Sequence, residues 1–298
     1  MTLNFSQLGQ ILALTSAVLW AFAVILFRKS TETVHPIALN LFKNFVAIVL
    51  ILPTMVIFQE SLFLNFPLSK YLLFILSGIL GMAIADTLFF MSLNRIGASL
   101  NAIISCTYSP LIIILSTIFL KETLKFLQII GAILIILAVL LTTHIKHNKP
   151  VSQRRLFIGI ILGILSNLAT AVGIIIIKPL LNTTPILWAT EIRLISGVVS
   201  LFLISLLFPN RTQIYNSIKS LKSIGYSLGG TIIGTYLALI IWLAGMKYTT
   251  ASIASILNQT SSVFIFIFAA IFLKEKISLV RIIAIILAMI GVSLVFIN

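Results

Sequence analysis

One five-residue segment, Ile-Phe-Leu-Lys-Glu, occurs twice in the chain, at Ile118–Glu122 and again 153 positions later at Ile271–Glu275. The surrounding sequence stays in register without a gap, and Ala98–Leu141 shares 18 of 44 residues with Ala251–Leu294. Isoleucine and leucine matches carry little weight in so apolar a chain, whereas a Lys-Glu pair and an Ala-Ser pair in register do. The chain is therefore internally duplicated, which constrains both its fold and the position of its site.

The composition indicates that the chain folds in a lipid bilayer. Of its 298 residues, 60% are hydrophobic and 9% are charged, with a mean hydropathy of +1.21. No soluble domain of this size has that balance. The formal charge of +14 comes mostly from Lys and Arg at the ends of apolar runs, as in membrane-flanking segments. No basic patch interleaved with aromatic residues occurs, so no nucleic-acid partner is expected.

Charges, prolines and turn residues divide the chain into ten apolar runs near the ~20 residues that a bilayer requires. The sequence therefore predicts an all-α integral membrane protein of ten transmembrane helices. Its two five-helix repeats occupy residues 8–143 and 157–297 and are joined by a basic connecting loop, residues 144–156. The predicted spans are Leu8–Phe27, Pro36–Phe58, Lys70–Leu93, Ala98–Phe119, Lys125–Thr143, Phe157–Ile177, Pro185–Phe208, Ser223–Met246, Ala251–Phe272 and Leu279–Ile297.

An odd number of spans in each repeat predicts that the repeats are inverted. The second half must cross the membrane in the opposite sense, as in secondary transporters that bind their solute near the midplane between two repeats. Of the Lys and Arg residues in the loops and at the ends of the spans, 13 lie on the face of loops 1–2, 3–4, 5–6, 7–8 and 9–10, and 5 lie on the other face. The positive-inside rule places the larger set in the cytoplasm and both termini outside.

The repeated ends of helices 4 and 9, Phe119–Glu122 and Phe272–Glu275, resemble the signature of the EamA family of the drug/metabolite transporter superfamily. The run Gly81–Ser99 is similar to the hairpin between helices 3 and 4 of that family. The resemblance covers essentially the whole chain and implies a multi-pass transporter of the cell inner (plasma) membrane. Relatives include exporters of amino acids and related metabolites, drug exporters, and carriers of nucleotide-linked compounds. The resemblance also implies cytoplasmic termini, the reverse of the charge count.

Ionisable side chains inside the predicted spans are costly and are candidates for coupling or gating. At a rise of ~1.5 Å per residue, Lys43 and Asp86 both lie roughly 10 Å deep from the same face and are expected to meet, either for transport or as a structural ion pair. Glu191 and Arg193 lie about 9 Å deep from the opposite face. Burial favours the neutral form of a carboxyl, as a proton carrier requires. Glu191 is therefore the candidate for coupling, with Lys178 as its expected partner in the structural alternative.

Uncharged polar residues concentrate halfway along helices 4 and 9. In the 153-residue register, Ser105 matches Asn258 and Tyr108 matches Ser261. Such a belt predicts a hydrophilic pocket, because buried amides need partners that a solute can supply. Hydrogen bonding between helices is the alternative explanation. The candidate substrate-binding residues are Asn101, Ser105, Tyr108, Asn258, Gln259, Ser262 and, as an aromatic surface, Trp20.

The sequence also excludes some function classes. No G-x-x-x-x-G-K-[ST] run occurs, so the chain itself hydrolyses no ATP. No H-E-x-x-H, G-x-S-x-G or cysteine-rich pattern predicts catalysis or a metal site, and no cofactor is expected. An intramembrane enzyme needs paired catalytic groups at one depth, which only Lys43 and Asp86 offer, without a nucleophile beside them.

The sequence therefore predicts a secondary transporter that exports a small metabolite by alternating access, driven by the gradient of that solute or by protons. A channel-like facilitator of ions or small solutes is the alternative. It predicts a continuous polar stripe, whereas the belt is local. The expected partners are a small-molecule substrate and the lipid bilayer. One chain supplies both halves, so a monomer is sufficient, and a homodimer stays open.

Overall fold

The computed structural model describes residues 5–141, 152–207, 209, 211–217, 221–272 and 279–296. All regular structure in these ranges is helical. The α-helices are α1 (Phe5–Ser30), α2 (Pro36–Ile57), α3 (Leu68–Gly78), α4 (Asp86–Ser105), α5 (Tyr108–Leu120), α6 (Phe126–Leu141), α7 (Gln153–Leu181), α8 (Ile186–Leu206), α9 (Arg211–Asn216), α10 (Leu221–Gly230), α11 (Leu239–Tyr248), α12 (Ala251–Asn258), α13 (Ser261–Phe272) and α14 (Leu279–Phe296). Two π-helical segments, Ile79–Ala85 and Thr231–Ala238, connect α3 to α4 and α10 to α11.

Seven helical stretches in the described part of the chain are long and apolar enough to cross a membrane, which makes the chain a multi-pass membrane protein. They are Phe5–Ser30, Pro36–Ile57, Leu68–Ala98, Gln153–Leu181, Ile186–Leu206, Ile224–Tyr248 and Ala251–Phe272. The predicted fourth, fifth and tenth spans are not among them, so the count of ten spans stays a prediction. The short helix α9 lies in the predicted loop 7–8 and was not expected from the sequence.

The predicted fourth and ninth spans are both broken near their middle. The first is divided between Ser105 and Tyr108, and the second between Asn258 and Ser261. These positions coincide in the 153-residue register, and at both breaks the backbone turns through tight i→i+3 hydrogen bonds. The sequence analysis expected continuous helices here. Polar side chains at such positions compete for backbone hydrogen bonds, and transporters use broken helices to present backbone groups to a solute.

The two π-helical segments also match in this register. Adding 153 to Ile79–Ala85 gives residues 232–238, which fall within Thr231–Ala238. Each segment contains a glycine at the matching position, Gly81 and Gly234. A π-helical turn shifts the backbone hydrogen bonds and frequently marks a functional site. The duplication therefore extends to irregular backbone, beyond the pattern of spans.

The two repeats pack mainly against each other. Helix α1 of the first repeat packs against α10 to α13 of the second, and α7 of the second packs against α3 to α5 of the first. Helix α2 packs against α8, and α6 packs against α14. The contacts are thus reciprocal: where a helix of the first repeat packs against a helix of the second, the two corresponding helices in the opposite repeats also pack together. A cavity between the repeats consequently has related helices on its opposite walls.

Glycine ends the third predicted span. Gly97 lies in the predicted turn Asn94–Ala98 and has a φ of 80° inside α4, a left-handed conformation that costs other residues energy. At the matching turn of the second repeat, α11 ends with Thr249 in extended conformation and the Thr250 hydroxyl accepts from Ile253 N–H.

Of the second signature segment, Phe272–Glu275, only Phe272 falls in the described part of the chain. Most of the connecting loop, residues 144–151, also lies outside it.

Candidate functional site

A cavity of about 160 Å³ lies between the two repeats. That volume equals the liquid volume of roughly five water molecules, so a small solute fits. The lining draws equally on the two repeats and includes residues on both sides of each helix break. Of the eleven side chains predicted to bind substrate or to couple, nine line the cavity. They are Trp20, Lys43, Asp86, Asn101, Ser105, Tyr108, Arg193, Asn258 and Gln259.

Lys43 and Asp86 form an ion pair on one wall, with 2.7 Å between Lys43 Nζ and Asp86 Oδ2. The two side chains differ in exposure, at 3% for Lys43 and 20% for Asp86. Lys43 Nζ also donates to Asn44 Oδ1 at 2.7 Å. The depth calculation from the sequence anticipated this contact. Lys43 has its charge balanced within the wall, while the carboxylate of Asp86 faces the cavity.

Two amides that the sequence analysis missed support this wall. Asn40 Nδ2 donates to Met82 O at 2.9 Å, and Asn44 Nδ2 donates to the same oxygen at 3.2 Å. Met82 belongs to the π-helical segment before α4, where carbonyl groups lose their regular helical partners. The two amides supply these partners and hold the segment against α2. Their spacing with Lys43, at positions 40, 43 and 44 on one face of an apolar helix, was a signal that could have found them.

Arg193 lines the cavity and has no hydrogen-bond partner for its side chain among the described residues. Its side chain is 1% exposed, and none of its three guanidinium nitrogens has a partner among the described residues. The guanidinium carbon lies 5.9 Å from the centre of the Trp242 ring, a cation–π contact. Gly81 of the first π-helical segment leaves space for it, because a β-carbon there would lie 3.0 Å from Arg193 Nη2. Buried guanidinium groups normally have several partners.

Glu191 is fully buried in α8 and does not belong to the cavity lining. Neither of its carboxyl oxygens has a hydrogen-bond partner among the described residues. Lys178, the partner expected from the sequence, instead donates to Thr249 O at 2.8 Å. The lysine is thus engaged by the turn after α11. Glu191 and Arg193 project from different faces of α8, as their spacing predicted.

Polar side chains from α1, α4, α12 and α13 form a belt across the cavity. Asn258 Nδ2 donates to the hydroxyl of Ser16 at 3.1 Å, and Gln259 Nε2 donates to the hydroxyl of Ser262 at 3.3 Å. Ser262 itself lies outside the lining and donates to Ala102 O at 3.0 Å, which joins α13 to α4. The amide of Gln259 is therefore held by the protein.

On the first-repeat side of this belt, hydrogen bonds are fewer. Ser105 donates to Asn101 O at 3.0 Å, and Asn101 Nδ2 reaches Phe89 O at 3.4 Å. The hydroxyl of Tyr108, at the start of α5, is buried and has no partner in the described chain. A buried hydroxyl without a partner costs free energy. Tyr108 therefore offers a donor to a solute in the cavity.

Asn167 of α7 is a further lining residue that the sequence analysis missed. Its Nδ2 donates to Ile104 O at 2.9 Å and to the hydroxyl of Thr107 at 2.8 Å. Both acceptors lie at the break between α4 and α5, where the carbonyl of Ile104 lacks a regular helical partner. The residue thus fixes the break from the other repeat. An isolated amide within an apolar span was the available signal.

Aromatic rings cover the remaining walls. Trp20 packs against Phe89 with 5.6 Å between ring centroids, and both line the cavity. Trp242 faces them from the second repeat, at the position that matches Phe89 in the 153-residue register. These rings form an apolar surface beside the polar belt. The cavity therefore combines charged, polar and aromatic walls, as sites for amphipathic small molecules do.

The cavity extends towards the face of the bundle that carries the turn between the third and fourth predicted spans. Its lining reaches Ala98, beside the turn between the third and fourth predicted spans. On the opposite face, contacts between the repeats close the bundle. Glu122 accepts from the backbone N–H groups of Ala251 and Ser252 at 2.9 and 3.0 Å, and Lys70 Nζ donates to Thr183 O at 3.2 Å.

Glu60, in the loop between α2 and α3, adds another such contact by accepting from the backbone N–H of Trp188 at 3.2 Å. Burial raises the pKa of the Glu60 carboxyl, although the Trp188 N–H and Lys247 act in the other direction. The indole of Trp188 is fully buried and donates to Leu62 O at 2.8 Å. The loop is consequently pinned across the start of α8.

Comparisons with known proteins point to one class. The model of the EamA-like transporter family matches residues 7–144 and 157–297. A protein of Archaeoglobus fulgidus named "Uncharacterized transporter" is 26% identical over 268 residues, which is 90% of each chain. One crystal structure superposes with a TM-score of 0.74 over 96% of this chain and 95% of the other, at 15% identity, which shows likeness of fold alone. Since the family model matches the chain twice and covers nearly all of it, this protein belongs to the EamA-like transporter family of the drug/metabolite transporter superfamily.

Proposed function

We propose that the chain is a secondary active transporter that exports a small metabolite, such as an amino acid or a related compound, across the cell inner (plasma) membrane. The observation that carries this proposal is the cavity itself. It lies between the repeats, takes equal parts of its lining from each, and extends towards one face of the bundle. Alternating access requires a site of this kind, which two halves can expose to either side in turn.

The proposal includes ten spans arranged as two inverted repeats. Five spans in each repeat require opposite orientations, and the exchange of helix contacts between the repeats fits a pseudo-two-fold axis in the membrane plane. The breaks at Ser105–Tyr108 and Asn258–Ser261 then lie at equal depths on two sides of that axis. One chain provides both halves, so a monomer in the bilayer is sufficient for the cycle.

Proton coupling through Glu191 is part of the proposal. A buried carboxylate without a hydrogen-bond partner is expensive in a low-dielectric interior, so the residue has reason to carry a proton. Glu191 is two residues from Arg193, which lines the cavity. Gain or loss of a proton at Glu191 thus changes the charge near the site. A buried group of this kind suits a coupling step better than a structural ion pair, since Glu191 takes part in no ion pair among the described residues.

A channel-like facilitator fits the cavity less well. Such a protein needs a continuous polar path across the membrane. The face that carries Glu122, Lys70 and Glu60 is closed by contacts between the repeats, and the cavity lining includes none of these residues. A one-sided cavity favours a carrier that must change conformation in each cycle.

The proposal is tested by binding and then by flux. The purified protein is screened by thermal shift against amino acids, nucleobases, nucleotides and cationic drugs, because a ligand of the folded state raises its stability by mass action. For each solute that binds, uptake is then measured in liposomes that contain the protein and are preloaded with the same solute. A carrier predicts saturable uptake that the internal solute accelerates. Uptake that rises linearly with the external solute concentration and does not change with the internal solute would indicate a channel and contradict the proposal.

A further inference from the structure

We infer that Arg193 is the anion receptor of the cavity and binds a single carboxylate group of the transported solute. This inference rests on the proposed function and names the chemical group that the pocket recognises. It comes from a guanidinium group that lines the cavity, is 1% exposed and has no hydrogen-bond partner on any of its three nitrogens among the described residues.

No hydrogen bond or ion pair in the described chain engages the guanidinium group of Arg193, and the carboxylate of Asp86 acts on it only through longer-range electrostatic attraction. A buried charge without a partner destabilises a fold by several kcal/mol, so it persists only where it serves another purpose. The guanidinium makes a cation–π contact with the Trp242 ring, and its five N–H donors have no acceptor among the described residues. Gly81, on the facing π-helical segment, lacks the β-carbon that would crowd Nη2. Space and donors are therefore both available on the cavity side.

The charge of the lining selects the kind of anion. Among the residues of the lining, Lys43, Asp86 and Arg193 are the charged ones. Lys43 and Asp86 neutralise each other at 2.7 Å, so the cavity carries one net positive charge. A singly charged carboxylate balances it. A doubly charged phosphate would leave excess negative charge beside the exposed carboxylate of Asp86, and phosphate sites usually supply several cations or backbone donors.

The geometry of the Arg193 guanidinium also favours a carboxylate as the ligand. A guanidinium presents parallel N–H donors that match the two oxygens of a carboxylate. Tyr108, whose buried hydroxyl also lacks a partner, lies within electrostatic range of Arg193 and offers one further donor. The aromatic rings of Trp20 and Trp242 then face the apolar part of the same solute.

The test compares solutes that differ only in the carboxylate. The probes are the L-amino acids, the corresponding amino acid amides, 4-methylpentanoate and phenyl phosphate, each measured by thermal shift and by titration of the purified full-length protein. The wild type is expected to bind one or more carboxylates and to bind their amides at least roughly 10-fold more weakly, as for loss of a charge-assisted hydrogen bond.

Variants separate binding from folding. Arg193→Gln is expected to lose the preference for acid over amide and to weaken carboxylate binding by roughly 10- to 100-fold, while Arg193→Lys retains part of it. Without solute, Arg193→Gln is expected to unfold at the same or a higher temperature than the wild type, because an unpaired buried charge is gone. A purely structural arginine predicts a lower unfolding temperature instead. Arg95→Gln, outside the cavity lining, is the matched control and keeps wild-type binding.

Any one of the following binding results overturns the inference: amides that bind as tightly as their acids, wild-type carboxylate affinity in Arg193→Gln, or binding of phenyl phosphate in preference to every carboxylate. If no carboxylate binds the wild type while nucleobases or cationic drugs bind and are transported, the anion receptor is wrong and the transporter stands. If the protein neither binds nor moves any solute of either panel, both proposals fail.

Discussion

Glu122 Oε2 accepts two hydrogen bonds from Ser252, one from its backbone N–H at 3.0 Å and one from its hydroxyl at 2.8 Å. The other oxygen of the carboxylate accepts from the N–H of Ala251 at 2.9 Å. The last residue of the first signature segment therefore caps the first turn of α12, in the opposite repeat. Unpaired N–H groups and the positive end of the helix dipole both favour a carboxylate at this place.

Replacement of Glu122 by Ala is expected to lower the free energy of unfolding by about 2 kcal/mol, since three charge-assisted hydrogen bonds between the repeats are lost. Glu122→Gln keeps an acceptor without the charge and is expected to lie between Ala and the wild type. Thermal unfolding in detergent measures the order. Glu32→Ala, at an exposed position, serves as control. Equal unfolding temperatures for Glu122→Ala and the wild type would show that the contact contributes nothing.

The Lys43–Asp86 pair predicts an asymmetry between its two single variants. Asp86→Asn leaves the ammonium group of Lys43 buried without a counter-ion, which costs about 3–5 kcal/mol. Lys43→Met leaves a carboxylate that is exposed to the cavity, so its effect on unfolding is expected to be smaller. Thermal unfolding of both variants and of the double variant Lys43→Met/Asp86→Asn checks this. A larger loss for Lys43→Met than for Asp86→Asn would contradict the assigned exposures.

Replacement of Gly97 by alanine is expected to strain the backbone without causing a steric clash. An added β-carbon would meet only Arg28 Nε at 3.9 Å, but the φ of 80° is unfavourable for alanine. Gly97→Ala is therefore expected to destabilise the protein by about 1–2 kcal/mol. Gly225→Ala is the matched control, because Gly225 lies in α10 with nothing within 4 Å of the added atom. Helix propensity predicts that this control is neutral or stabilising. Equal effects at the two positions would remove the backbone explanation.

Glu191→Gln is expected to abolish the dependence of transport on pH while leaving the protein folded. The amide has nearly the same shape as the carboxyl but neither gains nor loses a proton, so transport in the variant no longer follows the proton concentration. The pH dependence is measured as flux into liposomes from about pH 5.5 to about pH 8, the range around neutral in which a coupling carboxyl must titrate. An unchanged profile in the folded variant would remove Glu191 from coupling.

Much of the architecture follows from patterns that the sequence carries directly. The 153-residue register places Ser105 opposite Asn258, and the helix breaks occur at these two positions. Counting residues from the ends of the predicted spans also brought Lys43 and Asp86 to the same depth. Both results rest on the helical rise and on polarity, which do not depend on details of packing.

Other features depend on contacts between distant segments, which a single sequence does not reveal. In the π-helical segment Ile79–Ala85, Asn40 and Asn44 donate to a backbone carbonyl, and hydrophobic periodicity does not predict such shifts of the backbone hydrogen bonds. The sequence placed Lys178 beside Glu191 because both lie in neighbouring spans. Lys178 Nζ instead donates to Thr249 O, in the turn after α11. The contact of Glu122 with Ala251 and Ser252 was likewise not predicted, although the residues on both sides of it belong to the Lys-Glu and Ala-Ser pairs that the two repeats share.

The central claim is that the site of solute exchange lies between the two helix breaks, and Asn258→Leu tests it most directly. The measurement is the half-saturation concentration for solute exchange in liposomes, taken together with the unfolding temperature of the same preparation. Asn258 lines the cavity, and its amide donates to the hydroxyl of Ser16, another lining residue. We predict that the variant stays folded, loses little stability, and needs at least about 10-fold more solute for half-saturation. Wild-type exchange kinetics in a folded Asn258→Leu variant would contradict the claim and place the site elsewhere.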